Sequence, residues 1–419
     1  MIVREVLDNR LRLFTETMEN VRSVSIGVWL TRGSRHEQAE QGGIAHFVEH
    51  MLFKGTATRT AEDIAQAIDS IGGQLDAFTA KEYASYYIKV LDEHLPLAID
   101  ILSDIVLHPA FSKTDIEREK KVVLEEIKMV EDTPDDLVHE IFTQAFWEGH
   151  PLGRPILGTK ETVEALTEET LREYFSRAYA ADNLIVSAVG HLEHAHLREL
   201  VERAFAELPP RAERIHEEPP RVMPQVIVRN KELEQSHICI GASSYPQNHE
   251  SRYASYLLNT MLGGSMSSRL FQNVREKRGL AYAVYSGLSA YRDAGSLTVY
   301  AGCANEAVGE VVDLIIAELR TMKDQDAPAP ELRRAKDHLK GSLMLSLEST
   351  ASRMSHLARQ EMYFDRHFTL DETLEGIERV TPADIRRVAG ELFNNGSLAA
   401  TVLGAVNGLE IPRSRLDLG

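Results

Sequence analysis

At 419 residues, with 43% apolar and 26% charged side chains, the chain has the composition of a soluble globular protein long enough for two or more domains. Its net charge of −18 argues against binding along a phosphate backbone, which needs clustered Lys and Arg, so no nucleic-acid partner is expected. The opening MIVREVLDNRLRLF has no apolar core of signal-peptide length and no apolar run is long enough to span a bilayer, so no membrane partner is expected. Cys239 and Cys303 both lie in apolar stretches and read as reduced core thiols, which makes the cytoplasm the expected compartment.

In chain order, VSIGVWL (Val24–Leu30) reads as a strand and QGGIAHFVEHMLFKGT (Gln41–Thr56) as a helix carrying His46, Glu49 and His50. With His46 at 0°, His50 projects at about 40° and Glu49 at about 300°, so the three fan over about 100° of one face. Two imidazoles four apart can share one zinc, and a carboxylate beside them can activate a metal-bound water. The spacing is that of the inverted zinc-peptidase motif H-x-x-E-H. The competing reading is a solvated charged face, against which stand the apolar neighbours Phe47, Val48 and Leu52. GGQLDAFTAKEYASYYIKVL (Gly72–Leu91) alternates, turns, then continues in aromatic and β-branched residues, the pattern of a β-hairpin or meander.

A zinc site needs a third protein ligand, with water completing the four. SKTDIEREKKVVLEEIKMVED (Ser112–Asp132) is a strong helix opened by Ser112 with Asp115 three residues on. Its apolar stripe is Ile116, Val123, Ile127 and Val130. With Ile116 at 0°, Glu126 projects at about 280° and Glu119 at about 300°, at the edge of the stripe, whereas Glu125 faces away from it. A carboxylate on a buried edge is costly unless paired or bound to a metal, which favours Glu126 as the ligand. Glu119 suits hydrogen bonding to a ligand, or pairing with a neighbouring base.

The chain then repeats. LTEETLREYFSRAYAADNLIVSAVG (Leu166–Gly190) aligns without a gap on VTPADIRRVAGELFNNGSLAATVLG (Val380–Gly404), 214 residues on, and the same shift carries VSIGVWL onto ICIGASS (Ile238–Ser244). The expected organisation is a zinc-carrying domain at 1–208, a linker at 209–224 rich in Pro and charge, and a homologous domain at 225–419. Strand-like runs come early in each half and helices follow, so the expected class is α+β, with a largely antiparallel sheet covered by helices on one side.

The second half lacks the ligands. The 214-residue shift sets Thr260, Gly263, Gly264 and Lys340 opposite His46, Glu49, His50 and Glu126, and NTMLGGSMSSRLF (Asn259–Phe271) holds no His or carboxylate. NVREKRGLAYAVYS carries Arg275 and Tyr282 seven apart. On the residues alone these read as a surface ion pair and a core aromatic, though both are suitable donors to an oxyanion.

His46-x-x-Glu49-His50, followed after 75 intervening residues by Glu126, together with FVEHMLFKGT, VVLEEIKM and the duplication, resembles the pitrilysin family of zinc metallopeptidases over essentially the whole chain. The likeness is to its half-length branch, which holds the mitochondrial processing peptidase β-subunit and its bacterial relatives. The resemblance implies two homologous α/β-sandwich domains and a zinc-dependent endopeptidase of extended or unfolded peptides. It implies one Zn2+ per chain on His46, His50 and Glu126, with Glu49 as general base and Glu119 supporting a ligand. Arg275 and Tyr282 then serve as donors to the scissile carbonyl, from the partner chain of a homodimer. Peptide is implied to add as a strand near Asp76 to Ala80, contacting Ala77, Phe78, Thr79 and Ala80, with Phe53 lining the pocket after the cleaved bond; core packing is the plainer reading of Phe53. The alternative within the same fold is a catalytically inactive structural or binding subunit, a type that loses the zinc residues present here.

Overall fold

The computed structural model describes residues 2–209, 211, 215, 217–394 and 396–419. Of the expected linker 209–224, residues 210, 212–214 and 216 lie outside the described residues. The chain forms two compact units, each assembled from three stretches: Met1–Met129, Arg154–Glu217 and Leu345–His367 in one, Val130–Gly153, Glu218–Met344 and Phe368–Gly419 in the other.

The first unit is built on strands β1 (Ile2–Val6), β2 (Arg12–Thr17), β3 (Ser23–Leu30), β4 (Gln74–Thr79), β5 (Ala84–Leu91) and β6 (Leu184–Gly190). Their order is β1-β2-β6-β3-β5-β4, antiparallel throughout except for the parallel pair β2–β6. Because successive side chains alternate across a strand, β3 sends Val24, Ile26, Val28 and Leu30 into the main core, with Phe47, Val48 and Met51 of the helix Ile44–Leu52 and Ile99 and Leu102 of the helix Leu95–Leu107. Its other face carries Ser25, Gly27 and Trp29 and is covered by the helix Thr350–Phe364 through Met354, Leu357 and Ala358. Ser25 Oγ lies 2.8 Å from Thr350 Oγ1, and a Cβ on Gly27 would come within 3.1 Å of Met354 Sδ.

The second unit repeats the plan with β7 (Val226–Asn230), β8 (Ser236–Ser244), β9 (Ala281–Ala290), β10 (Gly295–Cys303) and β11 (Ala399–Gly404), ordered β7-β11-β8-β10-β9. Only β7–β11 is parallel. The helix Val308–Asp324 contributes Val311, Val312 and Ile315 to one core. The helix Pro134–Phe146 covers the other face, packing Val138, Phe142 and Phe146 against Cys239, Tyr300, Ala399 and Leu403.

Both units are thus mixed α/β sandwiches with antiparallel-dominated sheets. The expectation of helices on one side of each sheet is corrected: helices cover both faces. The reason is visible in β3, whose run SVSIGVWL is apolar or small at nearly every position, as strands buried on both faces are. The 214-residue repeat is structural as well. Thr167 caps the helix Glu168–Ala178 and Thr381 caps Pro382–Leu392, each hydroxyl accepting the amide three residues on, and β6 and β11 follow. No helix among the described residues is long and apolar enough to cross a membrane.

Candidate metal centre

The helix Ile44–Leu52 turns Ile44, Ala45, Phe47, Val48, Met51 and Leu52 into the core, which leaves His46, Glu49 and His50 on its partly open side. Its start is unusual. Gly43 has φ +91°, a conformation favouring glycine, and a Cβ there would meet the Leu157 carbonyl oxygen at 2.5 Å. No local Ser, Thr, Asp or Asn caps it. Instead Glu37, 5% exposed, accepts the Gly43 amide at 2.9 Å and the Ala45 amide at 2.8 Å.

The helix Lys113–Asp132 brings in the two distal glutamates. Ser112 Oγ accepts the Asp115 amide at 3.1 Å, the cap its sequence expects. Glu126 Oε2 lies 3.7 Å from His46 Nε2, and its Oε1 lies 3.6 Å from His50 Nε2. One ligand atom from each of His46, His50 and Glu126 lies within 4.8 Å of the others. Glu119 is deeper in the protein, 4% exposed, and its Oε2 lies 3.0 Å from His50 Nδ1. Its Oε1 pairs with Lys54 Nζ at 2.8 Å. Neither Lys54 nor Glu37 was reached from the sequence. Two signals pointed to them: a helix with no capping residue of its own, and a buried glutamate that needs a counter-cation, with Lys54 one turn beyond His50.

These donors fit a divalent ion. Burial, with His50 close by, lowers His46 to a pKa of about 4, so at neutral pH its ring is uncharged and free to donate an electron pair. A neutral ring 3.7 Å from a carboxylate oxygen gains neither an ion pair nor a hydrogen bond. Ligand atoms about 2.0–2.1 Å from a tetrahedral ion stand about 3.4 Å apart, close to the separations seen here. The remaining nitrogen of His50 is engaged by Glu119, the support that fixes tautomer and ring orientation at metal sites. Two imidazoles and one carboxylate suit zinc.

Glu49 stands apart from this group. Burial raises it above the usual carboxylate range; the Thr79 hydroxyl and the His50 ring pull it down, while Asp76 and Glu126 push it further up. Thr79 Oγ1 donates to Glu49 Oε2 at 2.5 Å. Glu49 and His50 line an open cleft with Phe53, Lys54, Leu75, Asp76 and Ala77. Phe53, which ends the motif helix, is half-buried: it packs on the core and also lines the cleft.

Thr79 belongs to β4, the last strand of its sheet, so one side of β4 has no strand neighbour among the described residues of the unit. The Ala80 amide bonds the Tyr83 carbonyl at 2.8 Å, and hydrogen-bonded pairs alternate along an antiparallel ladder. In the β4–β5 register, Phe78 and Asp76 therefore bond toward Ser85 and Tyr87, while Leu75, Ala77 and Thr79 direct their main-chain groups to the open side. The expected edge is narrowed accordingly. Ala80 bonds Tyr83 and accepts the Ser34 amide at 3.2 Å, so its main chain is occupied. Phe78 turns its ring to the opposite face, 5.9 Å from Trp29 and 5.8 Å from Tyr83.

In the second unit, Thr260 is buried in the helix Arg252–Leu262, Gly263 and Gly264 follow its end, and Lys340 Nζ pairs with Glu378 at 2.8 Å. Tyr282 is 78% exposed, which corrects its reading as a core aromatic. The Arg275 guanidinium sits over the Phe271 ring at 4.8 Å and the Tyr282 ring at 5.3 Å, with Glu276 at 3.8 Å.

Two sandwich units that share a five-strand order, with one histidine–histidine–carboxylate group among the described residues and that one in the first unit, define a duplicated scaffold with a metal-type centre. The family description "Insulinase (Peptidase family M16)" matches residues 12–160, and "Peptidase M16 inactive domain" matches residues 165–339. The chain belongs to peptidase family M16. It is 43% identical over 402 residues to "Uncharacterized zinc protease YmxG" of Bacillus subtilis (strain 168), covering 96% of this chain and 98% of that one. It is 40% identical over 410 residues to "Uncharacterized zinc protease ML0855" of Mycobacterium leprae (strain TN), covering 96% and 92%. Its fold matches a crystal structure of a peptidase M16 inactive domain from Pseudomonas fluorescens with a TM-score of 0.91 at 20% identity, over 98% of this chain and 100% of that one. It also matches a protease from Helicobacter pylori with a TM-score of 0.89 at 22% identity, over 96% and 99%.

Proposed function

We propose that this chain is a zinc-dependent endopeptidase that cleaves extended or unfolded peptides. The observation that carries this is the convergence of His46, His50 and Glu126 within 4.8 Å, with Glu49 next to His50 on the same helix. Zinc on those three side chains would supply Lewis acidity toward a water and the scissile carbonyl. Glu49 takes the water proton and hands it to the leaving amine; its burial keeps its basicity above that of an ordinary carboxylate. Thr79 holds the Glu49 carboxylate from β4, and Glu119 holds the His50 ring. The peptide adds as a strand to the open side of β4 at Leu75, Ala77 and Thr79, a mode that asks little of substrate sequence, and Phe53 lines the pocket after the cleaved bond.

Arg275 and Tyr282 complete the centre as donors to the carbonyl oxygen, supplied by the partner chain of a homodimer. Their support is the resemblance stated above and the exposure of Tyr282. Purified protein is expected to cleave an unstructured peptide, to stop when treated with a chelator, and to recover with zinc. Cleavage that survives complete metal removal would end the proposal. Sharing between chains is tested by mixing Glu49→Gln with Tyr282→Phe chains. Mixed dimers are expected to regain activity that neither parent has, and verified mixed dimers that stay inactive would refute sharing.

A further inference from the structure

An open strand edge is a hazard, because its free amides and carbonyls pair with any extended chain. Of the three residues of β4 that face outward, Ala77 is the central one, and its amide is not free. It donates to Asp76 Oδ1 at 2.8 Å. The other carboxylate oxygen, Asp76 Oδ2, accepts the Tyr87 hydroxyl at 3.1 Å. Tyr87 stands directly opposite Asp76 in the β4–β5 register, so the tyrosine pins the carboxylate from inside the sheet while its free oxygen reaches around to the edge. The carboxylate oxygen occupies the place that a carbonyl of an added strand would take.

We propose that Asp76 is a removable cap on the peptide-binding edge, which an incoming peptide must displace from the Ala77 amide before it can pair along β4. This rests on the proposal that substrate adds to this edge. The cap gives the edge a charged occupant when no peptide is present, and it makes the carbonyl–amide bond at Ala77 an exchange of partners rather than a net gain. Asp76 is then a gating residue that touches neither water nor scissile bond, and Tyr87 sets how firmly the gate is held.

The test uses full-length zinc-loaded protein and an uncharged, unstructured peptide, so that removing a carboxylate does not alter substrate attraction. Amide exchange at Ala77 is read at single-residue resolution alongside KM and kcat. In Asp76→Ala, Ala77 is expected to exchange faster, and KM to fall roughly three- to ten-fold below that of Asp76→Asn, the worth of one hydrogen bond; both variants lose the charge that raises Glu49, so any change in kcat is common to the two. Tyr87→Phe should move both readouts in the same direction by less. Asp76→Asn keeps an acceptor oxygen for the Ala77 amide, so its Ala77 exchange and KM should stay near the parent. Unchanged Ala77 exchange in Asp76→Ala would overturn the cap, and faster exchange with an unchanged or higher KM would overturn its displacement. Two peptides, methylated on one or the other alternate set of backbone nitrogens, that are both cleaved as well as their parent would overturn strand addition itself. That failure is distinguishable, because the Ala77 exchange data do not depend on it.

Discussion

Lys54 and Glu119 form a short relay to His50 Nδ1, the ring nitrogen turned away from Glu126, and each link has a reason. Glu119 is 4% exposed, and a buried carboxylate is expensive without a partner. Lys54 supplies the charge at 2.8 Å and leaves the second oxygen for His50 Nδ1 at 3.0 Å. Replacing Lys54 by Met keeps the stem and removes the charge; it is expected to weaken zinc binding about 10- to 100-fold, measured by competition with a coloured chelator. Unchanged affinity would show that Glu119 is held by other means. Glu49→Gln separates ligation from chemistry at the neighbouring position. It should leave zinc content at the parental level by elemental analysis while turnover falls by about 10²- to 10⁴-fold, the range for losing a general base. Loss of zinc from this variant would place Glu49 among the ligands instead.

At the scale of the element, the motif helix depends on a cap drawn from outside itself. Glu37 satisfies the Gly43 and Ala45 amides at the helix start, and Arg154 Nη1 holds the Glu37 carbonyl at 3.1 Å. Removing its side chain in Glu37→Ala leaves buried donors unmet and should cost about 1–3 kcal/mol, read by chemical denaturation. Burial raises Glu37 to a pKa of about 8, against the pull of the Ala45 and Gly43 amides, Lys81 and Arg154. The sign follows from linkage: between about pH 5 and pH 8 the unfolded chain has released this proton while the folded chain still holds it. Stability from this group is therefore present at low pH and lost as pH rises toward 8. Thermal melts of chelator-treated protein should show Glu37→Gln falling less steeply than the parent over that window, and parallel slopes would refute the assignment.

At the scale of the whole molecule, the compact units do not follow the halves of the sequence. The stretch Val130–Gly153 belongs to the second unit and Leu345–His367 to the first, so each repeat contributes one outer-layer helix to the other's sheet. A chain ending at residue 217 would lack the helix Thr350–Phe364 and bare Phe14, Trp29, Ile185 and Val189. Such a fragment is expected to aggregate when expressed alone and to become soluble when coexpressed with 218–419. A monomeric fragment with a cooperative melt would contradict this account.

Much of the site is legible in the sequence, for a local reason. Positions on one helix are bound by its 3.6-residue period, so the spacing of His46, Glu49 and His50 and the angles of Glu119 and Glu126 already place them on their faces. The repeat was legible because it needs only the chain compared with itself. By itself, then, the sequence determined the duplication, the two helix faces and the residue types able to hold a metal. Tertiary structure alone decided the second helix layer on each sheet, the exchange of outer helices, the Glu37 cap, the Lys54–Glu119 contact and which amides of β4 face outward. Those depend on pairings between segments far apart along the chain, and such pairings are selected by packing and by satisfying buried polar groups, neither of which leaves a period in the local pattern.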